Sequence, residues 1–143
     1  MTVRLAAFVT AAVLVAPPPM SGQASADDDA VRSVVATYPH GLKFNDVASL
    51  KKVFWPDAKL FWVKGGGTIG QLTQSDWYTG FPASPGKEGA GDLRVVSVDV
   101  SGDVASAKVE EKYPNSVYVD YVSLLKVSGR WWIVNKVYTS HPR

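Results

Sequence analysis

A chain of 143 residues with 46% hydrophobic and 20% charged residues has the make-up of one ordinary globular domain. With no cysteine it is not a disulfide scaffold, and a formal charge of +2 is far from the basic excess of a nucleic-acid or anionic-lipid binder. Function has to be sought in the order of the residues.

Order matters from the first residue. Arg4 is the only charge before Asp27, residues 5–16 are an apolar run, and Ala24-Ser25-Ala26 is a small-x-small site ahead of Asp27-Asp28-Asp29. That layout predicts a secretory signal peptide over residues 1–26, cleaved after Ala26, with one domain over 27–143. Twelve apolar residues followed by Pro17, Pro18 and Pro19 fall short of the roughly 20 that span a bilayer. The expected product is exported, periplasmic or secreted. It has no membrane span and carries about +1, because Arg4 is the only charge lost from 15 basic and 13 acidic residues.

In the mature part, Ala30, Val31, Val34, Val35 and Tyr38 recur at helical spacing behind three aspartates, which predicts a helix over 27–38 that kinks or stops at Pro39 and Gly41. A second helix should start at Asn45 or Asp46, where a side-chain oxygen can cap free amides, and run to Phe54 before Pro56. Residues 59–64 read as a strand closed by Gly65-Gly66-Gly67, which lacks the Gly-Lys-Ser/Thr ending of a phosphate loop. Thr73, Ser75 and Asp76 start a short helix carrying Trp77 and Tyr78, and four Gly and two Pro make 80–91 a loop.

From Asp92 onward the pattern alternates. A two-residue turn at Gly102-Asp103 puts Val96, Val98, Val100, Ala105, Ala107 and Val109 on one face. A third strand over 117–127 turns at Ser128-Gly129 into a fourth over 130–138. Helices followed by an antiparallel meander predict an α+β domain with helices packed on one face of the sheet. Register counted from the last turn sets Leu124 opposite Ile133, Val122 opposite Asn135 and Asp120 opposite Val137, with Lys126 and Trp131 on the same face. The reverse face carries Leu125 with Trp132, Ser123 with Val134 and Tyr121 with Lys136. Both faces are largely apolar, which predicts a second cover, taken to be a homodimer through the reverse face.

Asp120 and Asn135 are polar exceptions on an apolar face. Either they bond each other or a helix end and meet no ligand, or they line a pocket with Asp120 as acceptor or general base and Asn135 as orienting donor. Trp62, Trp77, Tyr118 and Trp131, together with Phe61, Tyr78 and Phe81, supply aromatic surface for a flat ring or for the core itself. Metal chemistry has little to work with. His40 and His141 are the only histidines, and the one pairing open to them is His40 with Asp120. No metal or cofactor is expected.

Three stretches carry a family resemblance: Asn45-Asp46 followed by Leu50, Phe54, Pro56, Asp57 and Ala58; Asp120-Tyr121 leading to Leu124-Leu125-Lys126-Val127; and Gly129-Arg130-Trp131 leading to Ile133-Val134-Asn135-Lys136. Together they resemble the nuclear transport factor 2-like superfamily, and within it the lumazine-binding-like branch near the SnoaL-like cyclases. The resemblance implies a strongly curved sheet forming a cone with an internal pocket, commonly in a dimer. Compared with ketosteroid isomerase, Tyr38 falls at the position of the oxyanion-donating tyrosine, while Trp62 stands where that enzyme has its carboxylate base. The expected function is an exported binder of a small hydrophobic or aromatic molecule, with Tyr38, Trp62, Trp77, Tyr118, Asp120, Trp131 and Asn135 as site residues. The alternatives are a small isomerase, cyclase or dehydratase using Asp120 and Tyr38, and a structural dimerisation module.

Overall fold

The computed structural model describes residues 21–143, with side chains from Ala26 onward, so the expected leader lies for the most part outside the described residues. Helix α1 (Ser21–Lys43) is followed by α2 (Val47–Val53), β1 (Phe54–Val63), β2 (Ile69–Thr73), α3 (Gln74–Tyr78), β3 (Asp92–Ser101), β4 (Val104–Lys112), β5 (Ser116–Val127) and β6 (Arg130–Pro142). The strands form one six-stranded sheet in the order β2-β1-β6-β5-β4-β3, curled around α1 but not closed. The expected meander is therefore β3 to β6, extended by a β1–β2 hairpin whose first strand runs parallel to β6. No helix among the described residues is long and apolar enough to cross a membrane.

Helix α1 does not stop at Pro39 but continues to Lys43. Proline inside a helix removes one hydrogen bond, and burial on both sides of it offsets that loss: Tyr38 is fully buried, and Gly41 lies against α2. A β-carbon on Gly41 would sit 2.6 Å from Leu50 Cδ2, so the glycine is what lets the two helices touch. Asp46 caps α2 as expected, accepting from the Ser49 amide at 3.0 Å. Phe54 already belongs to β1, and Pro56 is tolerated there because the β1–β6 ladder is interrupted between Phe54 and Lys59.

The core lies between α1 and the concave face. Val31, Val35 and Tyr38 of α1 pack with Leu50 and Phe54 against Ala107, Val109, Val122, Leu124 and Ile133. Both hairpin turns of the meander hold: Ser101 pairs Val104, and Val127 pairs Arg130 across Ser128 and Gly129, both with positive φ as a tight primed turn requires. Each hairpin then contains an irregularity that the alternation hid. On β3 an extra residue at Val96 leaves that side chain 45% exposed, so that Val95, not Val96, pairs Val109 on the concave side. On β6 an extra residue at Val134 shifts the pairing, so Leu124 faces Ile133 but Ser123 faces Asn135 and Val122 faces Lys136. Bulges bend and twist the strands that carry them, and these two help to curl the sheet.

Candidate functional site

The β6 bulge decides what faces the interior. Beyond it, Lys136 and Tyr138 take the concave side opposite Val122 and Asp120, and Asn135 moves to the convex side with Ser123. Lys136 is 5% exposed and Asp120 fully buried. Asn135 thus does not accompany Asp120; the residue that does is a lysine. On β4 the inward alternation of Ala105, Ala107 and Val109 runs one step further to Glu111, which is 4% exposed.

These side chains converge on Tyr38 from α1. Lys136 Nζ donates to Tyr38 Oη at 2.8 Å and to Asp120 Oδ2 at 3.0 Å. The Tyr38 hydroxyl meets Asp120 Oδ2 in a short hydrogen bond and lies 3.1 Å from Glu111 Oε1. Tyr113 donates to Glu111 Oε2 at 3.0 Å. Tyr38 has one hydrogen and two carboxyl groups to serve. One carboxyl must therefore bring its own proton, and the surroundings select Glu111. Burial first, then the adjacent Asp120 carboxylate, push Glu111 up to about 8. Burial, with Glu111 and Asp120 adding to it, holds the Tyr38 hydroxyl well above its ordinary range. Near neutral pH Glu111 is thus a carboxylic acid and Tyr38 a neutral phenol, packed against the ion pair of Lys136 and Asp120. Asp120 Oδ1 is buried without a hydrogen-bond partner among the described residues.

Above this floor opens a cavity of about 480 Å³ lined by Leu42, Leu60, Trp77, Glu111, Tyr113, Ser116, Tyr118, Lys136 and Tyr138. Its volume falls in the range of roughly 300 to 1,000 Å³ usual for small-molecule sites. The Lys136 ammonium lies 4.7 Å from the Tyr138 ring centroid, 5.1 Å from Trp77 and 5.4 Å from Tyr38, an aromatic surround that favours a cation. Burial raises the Tyr138 hydroxyl, and burial together with Glu111 raises that of Tyr113, so both rim phenols stay neutral donors.

The expected site residues divide accordingly. Trp77 and Tyr118 line the cavity, while Tyr38 and Asp120 are fully buried behind the lining residues Lys136 and Glu111. Trp62 does not line the cavity, and its ring lies 5.7 Å from that of Tyr138. Trp131 is elsewhere: it sits five residues before Lys136, about 16 Å along an extended strand, and its indole N–H donates to Asp27 at 3.3 Å in the core. His40 is exposed and stacks on Phe44 at 4.7 Å, so it does not join buried Asp120. No group of three metal-ligating side chains occurs among the described residues. Glu111 announces itself through the alternation of β4. Lys136, hidden by the bulge, gives no such signal.

Comparison with known proteins places this architecture. Residues 26–139 match the family model described as Putative lumazine-binding. A protein named aldolase FrzH, from Cladobotryum sp, is 27% identical over 124 residues, covering 83% of this chain and 95% of that protein. An NTF2-like protein of unknown function from Shewanella baltica OS155 superposes with a TM-score of 0.72 at 24% identity, covering 83% of this chain and 97% of its own. Another, from Methylobacillus flagellatus KT, gives 0.67 at 29% identity, covering 80% and 92%.

Proposed function

The chain belongs to the Putative lumazine-binding family, with the NTF2-like cone fold, and from that premise we propose that its cavity binds a small, flat, largely apolar molecule bearing a carbonyl oxygen. The observation that carries this reading is the Lys136 ammonium, boxed by Trp77, Tyr138 and Tyr38 beside a cavity of about 480 Å³. Two of its three hydrogens go to Tyr38 and Asp120, which leaves one for an acceptor on the ligand. The aromatic walls stack on the rings of such a molecule, and the rim phenols add donors.

The test is a titration of the chain with lumazine and with a flat aromatic ketone, read by quenching of tryptophan fluorescence, in the wild type and in Lys136→Met. Saturable quenching weakened by the substitution supports the reading. Quenching by neither compound, or quenching indifferent to Lys136, defeats it.

A second reading, catalysis on a carbonyl compound, is favoured by the proton stored on Glu111 within reach of Tyr38 and by the likeness to a protein named an aldolase. Bound ligand converted to product would establish it, and unchanged ligand would leave binding alone. Export after cleavage at Ala26 belongs to the proposal, supported by the Arg4, apolar-run and small-residue layout. So does a homodimer through the convex face, supported by exposed Tyr121, Leu125 and Val137.

A further inference from the structure

Lys136 is the one lysine that lines the cavity, and its surroundings provide more than an electrostatic anchor. Its Nζ lies 3.0 Å from an acceptor that can take a proton, Asp120 Oδ2, and 2.8 Å from a hydroxyl that can relay one, Tyr38 Oη. On the far side of that hydroxyl, at 3.1 Å, is Glu111 Oε1. An amine that must shed a proton to become a nucleophile, and a carboxylic acid that can protonate a leaving hydroxyl, are thus joined through one phenol. The lysine side chain is 6% exposed and Asp120 fully buried, so water competes poorly for either group.

Resting on the small-molecule reading above, we propose that Lys136 captures its carbonyl ligand covalently, as an imine. Lys136 Nζ passes one proton to Asp120, and the free amine attacks the carbonyl carbon. A carbon–nitrogen bond forms and the carbonyl π pair moves to oxygen, which takes a proton from the nitrogen to give a neutral carbinolamine. Glu111 then delivers its proton through Tyr38 to that hydroxyl. The carbon–oxygen bond breaks, water leaves, and the nitrogen lone pair closes the iminium. The proton held by Asp120 returns to Glu111, so Asp120 is again a carboxylate facing one positive charge. Ammonium and carbonyl have become iminium and water, with no oxidant or reductant consumed. The aromatic rings that surround the ammonium surround the iminium equally well.

The experiment treats the full chain with 2-naphthaldehyde and cyanoborohydride, which reduces an iminium to a stable secondary amine, and locates the label by peptide mass spectrometry. Tryptophan quenching by the aldehyde alone is measured in parallel. Lys136 is expected to be labelled on the order of tenfold faster than the exposed Lys87 or Lys64, as lysines desolvated in an apolar pocket are. Glu111→Gln, which keeps the shape but not the transferable proton, is expected to slow labelling at Lys136 by a similar factor and to leave the exposed lysines unchanged. Lys136→Arg, which keeps the charge but has no nucleophilic amine, is expected to abolish the fast label. Quenching in the wild type without preferential label on Lys136 overturns covalent capture while the binding reading stands. Neither quenching nor label overturns both. The decisive reading comes from the wild type, so a variant that fails to fold does not rescue the proposal.

Discussion

Lys136 Nζ and Asp120 Oδ2 meet at 3.0 Å inside the cone only because β6 carries one residue more than β5 between the Leu124–Ile133 and Ser123–Asn135 pairs. Without the extra residue at Val134, Lys136 would point to the convex face and Asp120 would be a buried charge without a cation. Burying both ions is expensive, and removing either one leaves the other stranded. Lys136→Met and Asp120→Asn are therefore each expected to destabilise the chain by about 3 to 5 kcal/mol in urea denaturation. The double substitution should cost clearly less than the two together. Strictly additive losses would show that the pair is not energetically coupled.

The proton on Glu111 gives stability a pH dependence of definite sign. Its folded pKa of about 8 stands above the ordinary 4.5, so the native chain holds a proton that the unfolded chain releases over that interval. The contribution is complete below about 4.5 and is lost as pH rises to about 8. Within that window stability should fall by up to about 1.4 kcal/mol per pH unit. Glu111→Gln removes the titration, so melting temperatures recorded from pH 5 to 8 should decline in the wild type and run flatter in the variant. Parallel curves would sink the assignment of the proton to Glu111.

The sequence made most of the architecture legible because period and punctuation are local signals. Asp46 as a cap, the turns at Gly102-Asp103 and Ser128-Gly129, and the inward run Ala105, Ala107, Val109 need only a few neighbouring residues to be read. What stayed hidden depends on distant partners. Bulges at Val96 and Val134 exchange one apolar residue for another, so they leave no mark in the alternation, yet the second replaces Asn135 by Lys136 at the site. Tyr38 and Asp120 were readable as polar atoms on apolar faces. Their convergence on Glu111 and Lys136 required the fold. The run of α1 through Pro39 is similar, since packing around Gly41 outweighs the local signal to stop.

Gly41 offers a test in which two effects oppose each other. In an open helix, glycine to alanine gains up to about 1 kcal/mol. Here the new methyl would lie 2.6 Å from Leu50 Cδ2 and 2.7 Å from Cγ, and Leu50 is fully buried with no room to turn away. Overpacking costs typically about 1 to 3 kcal/mol, so the crowding should win. Gly41→Ala is expected to lower the urea midpoint, and Gly41→Ala combined with Leu50→Ala should not lower it much beyond Leu50→Ala alone. A stabilised Gly41→Ala would mean that the helices separate at little cost.

The convex face tests the proposed homodimer. Tyr121 is 51% exposed, Val137 46% and Leu125 40%, and Leu125 pairs with Trp132 on the same side of the sheet. Covering such side chains gains about 25 cal/mol per Å² of apolar surface removed from water. A charge placed among them would lose that gain and add a desolvation cost. Leu125 lies five residues beyond Asp120 along β5, roughly 16 Å from it, and it points away from the cone. Leu125→Glu should therefore convert a sedimenting dimer to monomer while leaving ligand quenching of tryptophan unchanged. A wild type that sediments as a monomer at every concentration would remove the convex face as an interface between copies. Loss of quenching together with the dimer would mean instead that the cavity is complete only in the assembled pair.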